Sequence, residues 1–361
     1  MLYSDDREIL VSLLSRRYRS KEKLQRYIQY IDTLVDQDLP PILTFRHLAD
    51  YLGIDPILLH SMAFNTDHFY SKFRIPKQNG GSREISAPYD NLDTIQRWIS
   101  ENILKKNQIP FHSAITGYVT DKSILDHVIP HANSPYLIKF DIKDFFPSIS
   151  VSFVRNIFFN RGYNNAVSRT LAALLTVNGA LPQGASTSPY ISNVRMRKFD
   201  SEMSELCELN KLIYTRYADD IVISGGSTVA DLAINFRNCF TENGFLINET
   251  KTRLYKSFSE VRFVTGLTLN QGVIRLPKAM RRRIRVQSHL FIRDLPKMIT
   301  GTTACVQKIS FPLNSEDKNI VHDPLFAERI LGKLNYWLNI EPKNQYAQRM
   351  KEAINIKLAE L

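Results

Sequence analysis

LIYTRYADDIVISGG, residues 212–226, reads as two short apolar strands that meet at a pair of aspartates, Asp219 and Asp220. Adjacent carboxylates between apolar strands repel each other unless a cation compensates them. Taken alone, such a pair is usually a solvated turn. What decides the reading lies 78 positions earlier, where YLIKFDIKDFF, residues 136–146, forms a second apolar strand with Asp141 near its end. If Asp141 converges with the hairpin aspartates, their hard oxygen ligands select divalent cations, Mg2+ or Mn2+.

Outward from these strands, the pattern alternates. Residues Val151 to Val177 read as helical, and LPQGASTSP, residues 181–189, as a turn of small residues that lets backbone approach closely. Upstream, HFYSKFRIPKQNGGSREISAP, residues 68–88, places short β-rich runs either side of Asn79-Gly80-Gly81, a hairpin signature. Asn91 to Lys105 returns to helical periodicity. At the start, apolar residues recur at helical spacing from Asp5 to about Asp36, Pro40-Pro41 closes the run, and a second helical stretch covers Phe45 to Phe64. After VRFVTGLTLNQGVIRLP, residues 261–277, the chain turns basic and helical to Leu361.

The 361 residues, 43% hydrophobic and 11% aromatic, suffice for two or three packed subdomains. The net charge of +11 is concentrated: Val261 to Arg293 holds eight Lys and Arg and no Asp or Glu. Such a segment suits a polyanion, because each neutralised phosphate releases counterions without sequence preference; a solvated helix face is the plain alternative. Cys207, Cys239 and Cys305 are widely spaced and odd in number, which fits neither a disulfide framework nor a zinc knuckle. With no apolar run of membrane-spanning length and an acidic, interrupted N-terminus, the expectation is a soluble cytoplasmic protein with no membrane partner.

FDIKDFFPSI, LPQGASTSP and YTRYADD occur in the order and approximate spacing of the A, B and C motifs of reverse transcriptases, and the chain resembles the bacterial retron enzymes of that family from about Phe69 onward. The resemblance implies an α+β right-hand polymerase fold with fingers, a palm of antiparallel sheet and helices, and a helical thumb, preceded by N-terminal helices. The expected divisions are 1–64 for the N-terminal helices, 65–135 for the fingers, 136–260 for the palm with fingers elements inserted near 150–180, and 261–361 for the primer-grip region and basic thumb.

By the same resemblance, Asp141, Asp219 and Asp220 are the catalytic carboxylates holding two divalent ions, with the Ile142 carbonyl as a further ligand and Tyr217 at the primer end. Gln183 and Gly184 support the incoming dNTP, Phe146 stands as an aromatic wall against a 2′-hydroxyl, and Lys77 and Arg83 of the hairpin grip the triphosphate; Arg83 is preferred for its bidentate fork. Val264-Thr265-Gly266 matches a retron signature before the thumb, and Arg281, Arg282, Arg283 and Arg285 grip duplex, with Tyr336 and Trp337 in the thumb's helical core. The retron Asn-Ala-x-x-His element corresponds to His127 through His131, of which only His131 is kept; it is expected to contact RNA or to pack on protein, in preference to a metal site made by His127 and His131 at i, i+4.

A retron enzyme implies a structured non-coding RNA as template and primer, an RNA/DNA hybrid product, RNA-linked DNA primed from a 2′-hydroxyl, and a separately encoded effector in anti-phage defence. A catalytically idle RNA-binding scaffold or antitoxin, or another bacterial defence or group II intron-like reverse transcriptase, remains the alternative.

Overall fold

The computed structural model describes residues 3–76, 81–107, 110–299 and 325–359. Its nine described strands are β1 (Tyr70–Pro76), β2 (Ser82–Pro88), β3 (Tyr136–Asp141), β4 (Ile213–Tyr217), β5 (Asp220–Gly225), β6 (Arg253–Tyr255), β7 (Arg262–Val264), β8 (Leu267–Asn270) and β9 (Val273–Arg275). They form an antiparallel hairpin β1-β2, a four-stranded sheet of order β4-β5-β3-β6, and a three-stranded sheet β7-β8-β9. The protein is therefore of mixed helix and antiparallel sheet, as the sequence implies.

Each helical stretch read from the sequence is cut by local chemistry. The N-terminal run is two helices, Ser4–Arg17 and Lys21–Val35, the second capped by the Ser20 side chain, which accepts from the Lys23 N–H. Phe45–Leu52 ends at Gly53 in the left-handed region, and Asp55 caps Pro56–Phe64 with Pro56 in its first turn. Gly162 at φ 99° separates Val151–Asn160 from Asn165–Leu175, which Asn164 caps. Asp90–Ile99 runs on into a π-helical turn, Ser100–Leu104.

The chain divides into two compact units that interleave along the sequence instead of following consecutive segments: residues 1–122, 140–221 and 231–252 in one, and 123–139, 222–230 and 253–361 in the other. The first carries a core of aromatics in which Phe140, Phe199 and Phe240 pack ring against ring at 4.8 to 5.1 Å. The second gathers Val128, Leu137, Val264, Leu267, Leu276, Ile284, Phe291, Leu334 and Trp337 into one apolar cluster beneath the helices Lys278–Ile299, Phe326–Ile340 and Gln345–Ala359. Trp337 is fully buried and Tyr336 lies against the cluster, so the expected helical core is present. The β7-β8-β9 sheet was not legible as strands: its members are three or four residues long, and its turns, Thr265-Gly266 and Gln271-Gly272, both use positive φ at two successive residues. No helix among the described residues is long and apolar enough to cross a membrane.

Candidate active site

The end of β3 and the β4-β5 turn are joined through backbone. The Ile142 N–H donates to the Asp219 carbonyl at 3.2 Å, which brings residues 77 positions apart into register. On the other side, the Lys143 N–H donates to the Leu246 carbonyl and the Asn248 N–H to the Asp141 carbonyl, both at 2.8 Å, so residues 246–248 flank Asp141. The Asp141 carbonyl is thereby occupied. Asp141 is buried, whereas Asp219 and Asp220 are half-buried.

Their electrostatics record the crowding. Burial, then the Asp220 and Asp141 carboxylates, push the Asp219 carboxyl up to about 6. Both Asp141 oxygens accept from the Lys251 ammonium, at 2.9 and 2.8 Å. Among the described residues, no three acidic, His or Cys side chains are arranged as a metal cage. The backbones of the three aspartates adjoin, and a protein cation holds Asp141. The Lys251 charge offsets the mutual repulsion of the crowded carboxylates. The donor chemistry still fits divalent cations: hard oxygens carrying net negative charge, one with a raised pKa, and a stand-in cation on another.

Behind the turn lies a buried network that the sequence did not reveal. Arg216 and Asp200 are both fully buried; Arg216 Nε and Nη2 donate to the Asp200 carboxylate at 2.7 Å each. Tyr214 Oη donates to the same carboxylate at 2.6 Å, and Arg216 Nη1 donates to Asn193 Oδ1 and the Ala218 carbonyl, each at 3.1 Å. Ala218 has φ 57°, a conformation that costs a side-chain-bearing residue about 1 kcal/mol or more unless surroundings hold it. The Arg216 fork supplies that hold directly before Asp219.

A loop strand braces the same turn. Thr116 N–H donates to the Arg216 carbonyl at 2.9 Å, and Asn193 Nδ2 to the Gly117 carbonyl at 3.0 Å. A Cβ on Gly117 would lie 2.5 Å from the Ala218 nitrogen, so only glycine permits this approach. The next residue, Tyr118, is exposed and stands 6.4 Å, ring to ring, from both Phe146 and Tyr217. Burial, then Asp219 and Tyr217, raise the Tyr118 hydroxyl pKa, and Arg83 opposes them; the ring thus feels both the aspartates and the hairpin arginine. Tyr118 was missed in the sequence, where its only signal was a Gly-Tyr pair.

Elsewhere, the Gln183 carbonyl accepts from the Ser86 N–H at 2.8 Å, docking the Leu181–Pro189 turn on β2. Gly184 has φ 128°, and a Cβ there would lie 2.8 Å from Ile85 Cγ2 and 2.9 Å from the Ser86 carbonyl oxygen. Arg83 is exposed on β2, paired in register with Ile75. Phe146 is 9% exposed, its ring 5.3 Å from Phe145. Lys77 lies outside the described residues.

Residues 75–269, more than half of the chain, match the model of the family described as reverse transcriptase (RNA-dependent DNA polymerase). The retron Mx162 reverse transcriptase of Myxococcus xanthus is 31% identical over 67% of this chain and 57% of its own length. The retron Ec83 reverse transcriptase of Escherichia coli is 34% identical over 60% of this chain and 73% of its own. The chain belongs to the retron-type reverse transcriptases. Among solved structures it aligns with telomerase from Candida albicans in complex with a telomeric RNA fragment, at 12% identity over 79% of this chain and 62% of that one, TM-score 0.43. The match covers little over half the length of the Mx162 relative.

In this reverse transcriptase, the residues expected at RNA divide. His131 is fully buried: its Nδ1 lies 2.6 Å from Ser224 Oγ, which donates to Ser134 Oγ at 2.9 Å. Burial, with the His127 and Arg262 charges adding, lowers its pKa well below the ordinary histidine value. Of the two expected roles for His131, its lack of surface excludes the RNA contact and leaves packing within the protein. Nor is there a zinc site: the His127 and His131 rings stand 6.2 Å apart, edge to face, and no metal-holding group includes them among the described residues. Arg262, also fully buried, donates to the Ser134 and Ala132 carbonyls at 2.6 and 3.1 Å, tying the loop after His131 to β7.

Val264 is likewise fully buried in the apolar cluster, which removes it from RNA contact, whereas Thr265 is half-buried and Gly266 exposed at the turn beyond it. Arg282, Arg283 and Arg285 are exposed on the helix Lys278–Ile299, and Arg281 is half-buried. Arg281, Arg282 and Arg285 fall on one helical face, and the Arg285 guanidinium sits 4.9 Å above the Tyr346 ring.

Proposed function

We propose that this chain is an active RNA-directed DNA polymerase of a retron, copying a structured partner RNA into DNA with Asp141, Asp219 and Asp220 as the ligands of two divalent cations, Mg2+ or Mn2+. The observation that carries the reading is the junction of β3 with the β4-β5 turn, where Ile142 N–H and the Asp219 carbonyl meet at 3.2 Å and the carboxylates crowd enough to push Asp219 up to about 6. When bound, the ions supply Lewis-acid chemistry for in-line phosphoryl transfer.

The chain's own residues do the rest. Asp141, now bonded to Lys251, would be a ligand of the cations, and Arg216 holds the turn that presents Asp219. Phe146, with Tyr118 and Tyr217 beside it, walls the sugar of the incoming dNTP, so that a 2′-hydroxyl meets an aromatic ring. Gln183 and Gly184 give that nucleotide a close backbone floor, and Arg83 a phosphate contact. The exposed arginines of the helix Lys278–Ile299, with Thr265 and Gly266, contact the RNA and the RNA/DNA hybrid by charge and shape. Our reading for this chain extends to a partner RNA that acts as template and primer, branched RNA-linked DNA as product, and a separately encoded effector in anti-phage defence.

Primer extension with purified protein, co-purified RNA, dNTPs and Mg2+ tests this. Wild type is expected to make RNA-linked DNA, and the double variant Asp219→Asn/Asp220→Asn none. Equal synthesis by both would refute the ligand assignment, and none by either would favour the idle scaffold.

A further inference from the structure

The helices Ser4–Arg17 and Lys21–Val35 fold back on each other across a small core of Tyr3, Leu14, Ile31 and Val35, with Arg7 paired to Asp32 near one end and Tyr18 stacked on Tyr27 near the other. Charge is sorted along this hairpin. The end away from the connection holds Asp5, Asp6, Glu8, Asp32 and Asp36, and it is tied down: Tyr51 Oη donates to Asp6 at 2.7 Å and Arg7 Nε to Asp32 at 2.6 Å. The connection end, residues 16–26, holds Arg16, Arg17, Arg19, Lys21, Lys23 and Arg26 against the single carboxylate of Glu22, and all of these side chains are exposed. This segment and Val261 to Arg293 together carry more net positive charge than the +11 of the whole chain.

A basic run is commonly no more than a solvated helix face, but helix stability does not account for this one. Arg16 and Arg17 suit the end of their helix, where the partial charge is negative, whereas Lys21 and Lys23 stand in the first turn of the next helix, where it is positive. The two lysines therefore add to a positive field that the helix itself creates. Glu22 is answered by Arg26 at 2.6 Å, and the segment holds no further acid for its other five cations. Part of the array is also ordered in advance. Lys23 Nζ stands 4.7 Å from the centre of the Tyr18 ring and the Arg17 guanidinium 6.0 Å from it. Tyr18 in turn stacks on Tyr27 at 5.1 Å, and both rings pack against the hairpin's apolar core. The tyrosines thus hold cations in place and are already engaged with each other.

We propose that this corner of the N-terminal hairpin binds the phosphate backbone of a paired RNA stem, with Arg16, Arg17, Arg19, Lys21 and Lys23 as its contacts. Paired RNA is recognised by charge and shape along its backbone, which an ordered array of exposed cations supplies. An unpaired strand is held instead by aromatic faces that stack its bases, and the two tyrosines here stack on each other. The inference rests on RNA being the polymer that this enzyme copies, and it requires no catalysis.

Fluorescence anisotropy of the full chain tests this in EDTA over a range of KCl, with a labelled RNA hairpin of about 16 base pairs, a labelled oligo-uridylate and a labelled DNA duplex of the hairpin's length. Arg19→Gln/Lys21→Gln removes two exposed cations from the corner, and Arg16→Gln/Arg19→Gln is a second corner variant read in the same way. Lys198→Gln/Lys211→Gln removes two exposed cations elsewhere and controls for net charge. The corner variants are expected to melt as wild type does, to bind the hairpin about fivefold more weakly or worse, and to flatten the slope of log affinity against log salt by about 1 to 2. Binding of the hairpin by the control variant, and of oligo-uridylate by the corner variants, should change by less than about twofold. Hairpin binding that the corner variants leave unchanged, a loss matched by the control, a loss as large on oligo-uridylate, or a greater loss on the DNA duplex than on the hairpin overturns the proposal. Because binding is read without metal and without synthesis, a chain that grips the hairpin through this corner yet makes no DNA would sink the polymerase reading alone.

Discussion

Asp200→Asn should destabilise this protein severely although it changes no volume and touches no surface. Asp200 and Arg216 are both fully buried, and the carboxylate accepts three hydrogen bonds, two from Arg216 and one from Tyr214. An amide retains one acceptor oxygen and points an NH2 at a guanidinium that still carries its charge. Removing one partner of such a pair costs about 3–5 kcal/mol, because the remaining ion is left desolvated and unpaired. Against a total stability of about 5–15 kcal/mol, and with a urea slope of about 3 kcal/mol/M for a chain of this size, the unfolding midpoint should fall by about 1 to 2 M.

The double replacement Asp200→Leu/Arg216→Met should cost less than Asp200→Asn alone, since it leaves no buried ion. It should nevertheless lose polymerase activity, at least tenfold in kcat at a temperature where it is folded, because the Arg216 donor to the Ala218 carbonyl is gone. Urea unfolding of the two variants and steady-state primer extension read both effects. A midpoint shift below about 0.3 M for Asp200→Asn, or wild-type kcat in the folded double variant, would refute the reasoning.

Gly184→Ala forces a Cβ against the Ser86 carbonyl at a positive φ and should lower the melting temperature and, in the folded variant, raise the dNTP KM several-fold, so an unaltered KM and melting would count against the docking of this turn on β2. Phe146→Ala should increase ribonucleotide incorporation, measured as the ratio of rNTP to dNTP kcat/KM; an unchanged ratio removes the ring from the sugar wall. The raised Asp219 pKa of about 6, against an ordinary 3.8, means that the proton binds more tightly in the folded, metal-free protein, and this contribution is complete below the ordinary value and lost as pH rises through 6. In EDTA, Asp219→Asn should therefore gain stability relative to wild type as pH rises from about 4 to about 6, and a constant difference over that range would show that the shift is absent. Lys251→Gln should lower the Mg2+ concentration needed for half-maximal synthesis, because a competing cation leaves Asp141; a higher requirement would mean that Lys251 assists the metals.

What the sequence disclosed and what it concealed follow from the range of the interactions. The β4-β5 turn, the β1-β2 hairpin and the Gly184 turn were legible because each is encoded within about ten residues, where strand alternation, glycine and adjacent aspartates leave direct marks. The Arg216 to Asp200 pair was not, because an arginine beside a tyrosine in a strand gives no sign that its partner lies on the preceding helix. Lys251 was hidden behind 110 residues of separation from Asp141. His131 and Val264 were misplaced for a related reason: a motif shows that a residue type is needed at a position, and does not tell whether the need is at a surface or in a core. Both belong to the interior of the second unit, where Ser224 and Ser134 satisfy the histidine and an apolar cluster takes the valine.

The buried arginines and the aspartate turn answer one electrostatic problem with two solutions. Arg216 sits in a fully dry pocket and has a fixed carboxylate partner, so its charge stays in one place and its geometry is rigid. Lys251 is largely exposed and meets Asp141 through a flexible stem, so that bond is cheap to exchange. A rigid pair behind the turn and a labile one in front of it let the Asp219 backbone stay put while the carboxylates change their positive partner. Were the order reversed, with a fixed arginine on Asp141, a divalent ion would have to displace a desolvated bidentate pair. Lysine at 251 is therefore the residue type that the proposed chemistry requires, and arginine there should block metal entry more than glutamine does.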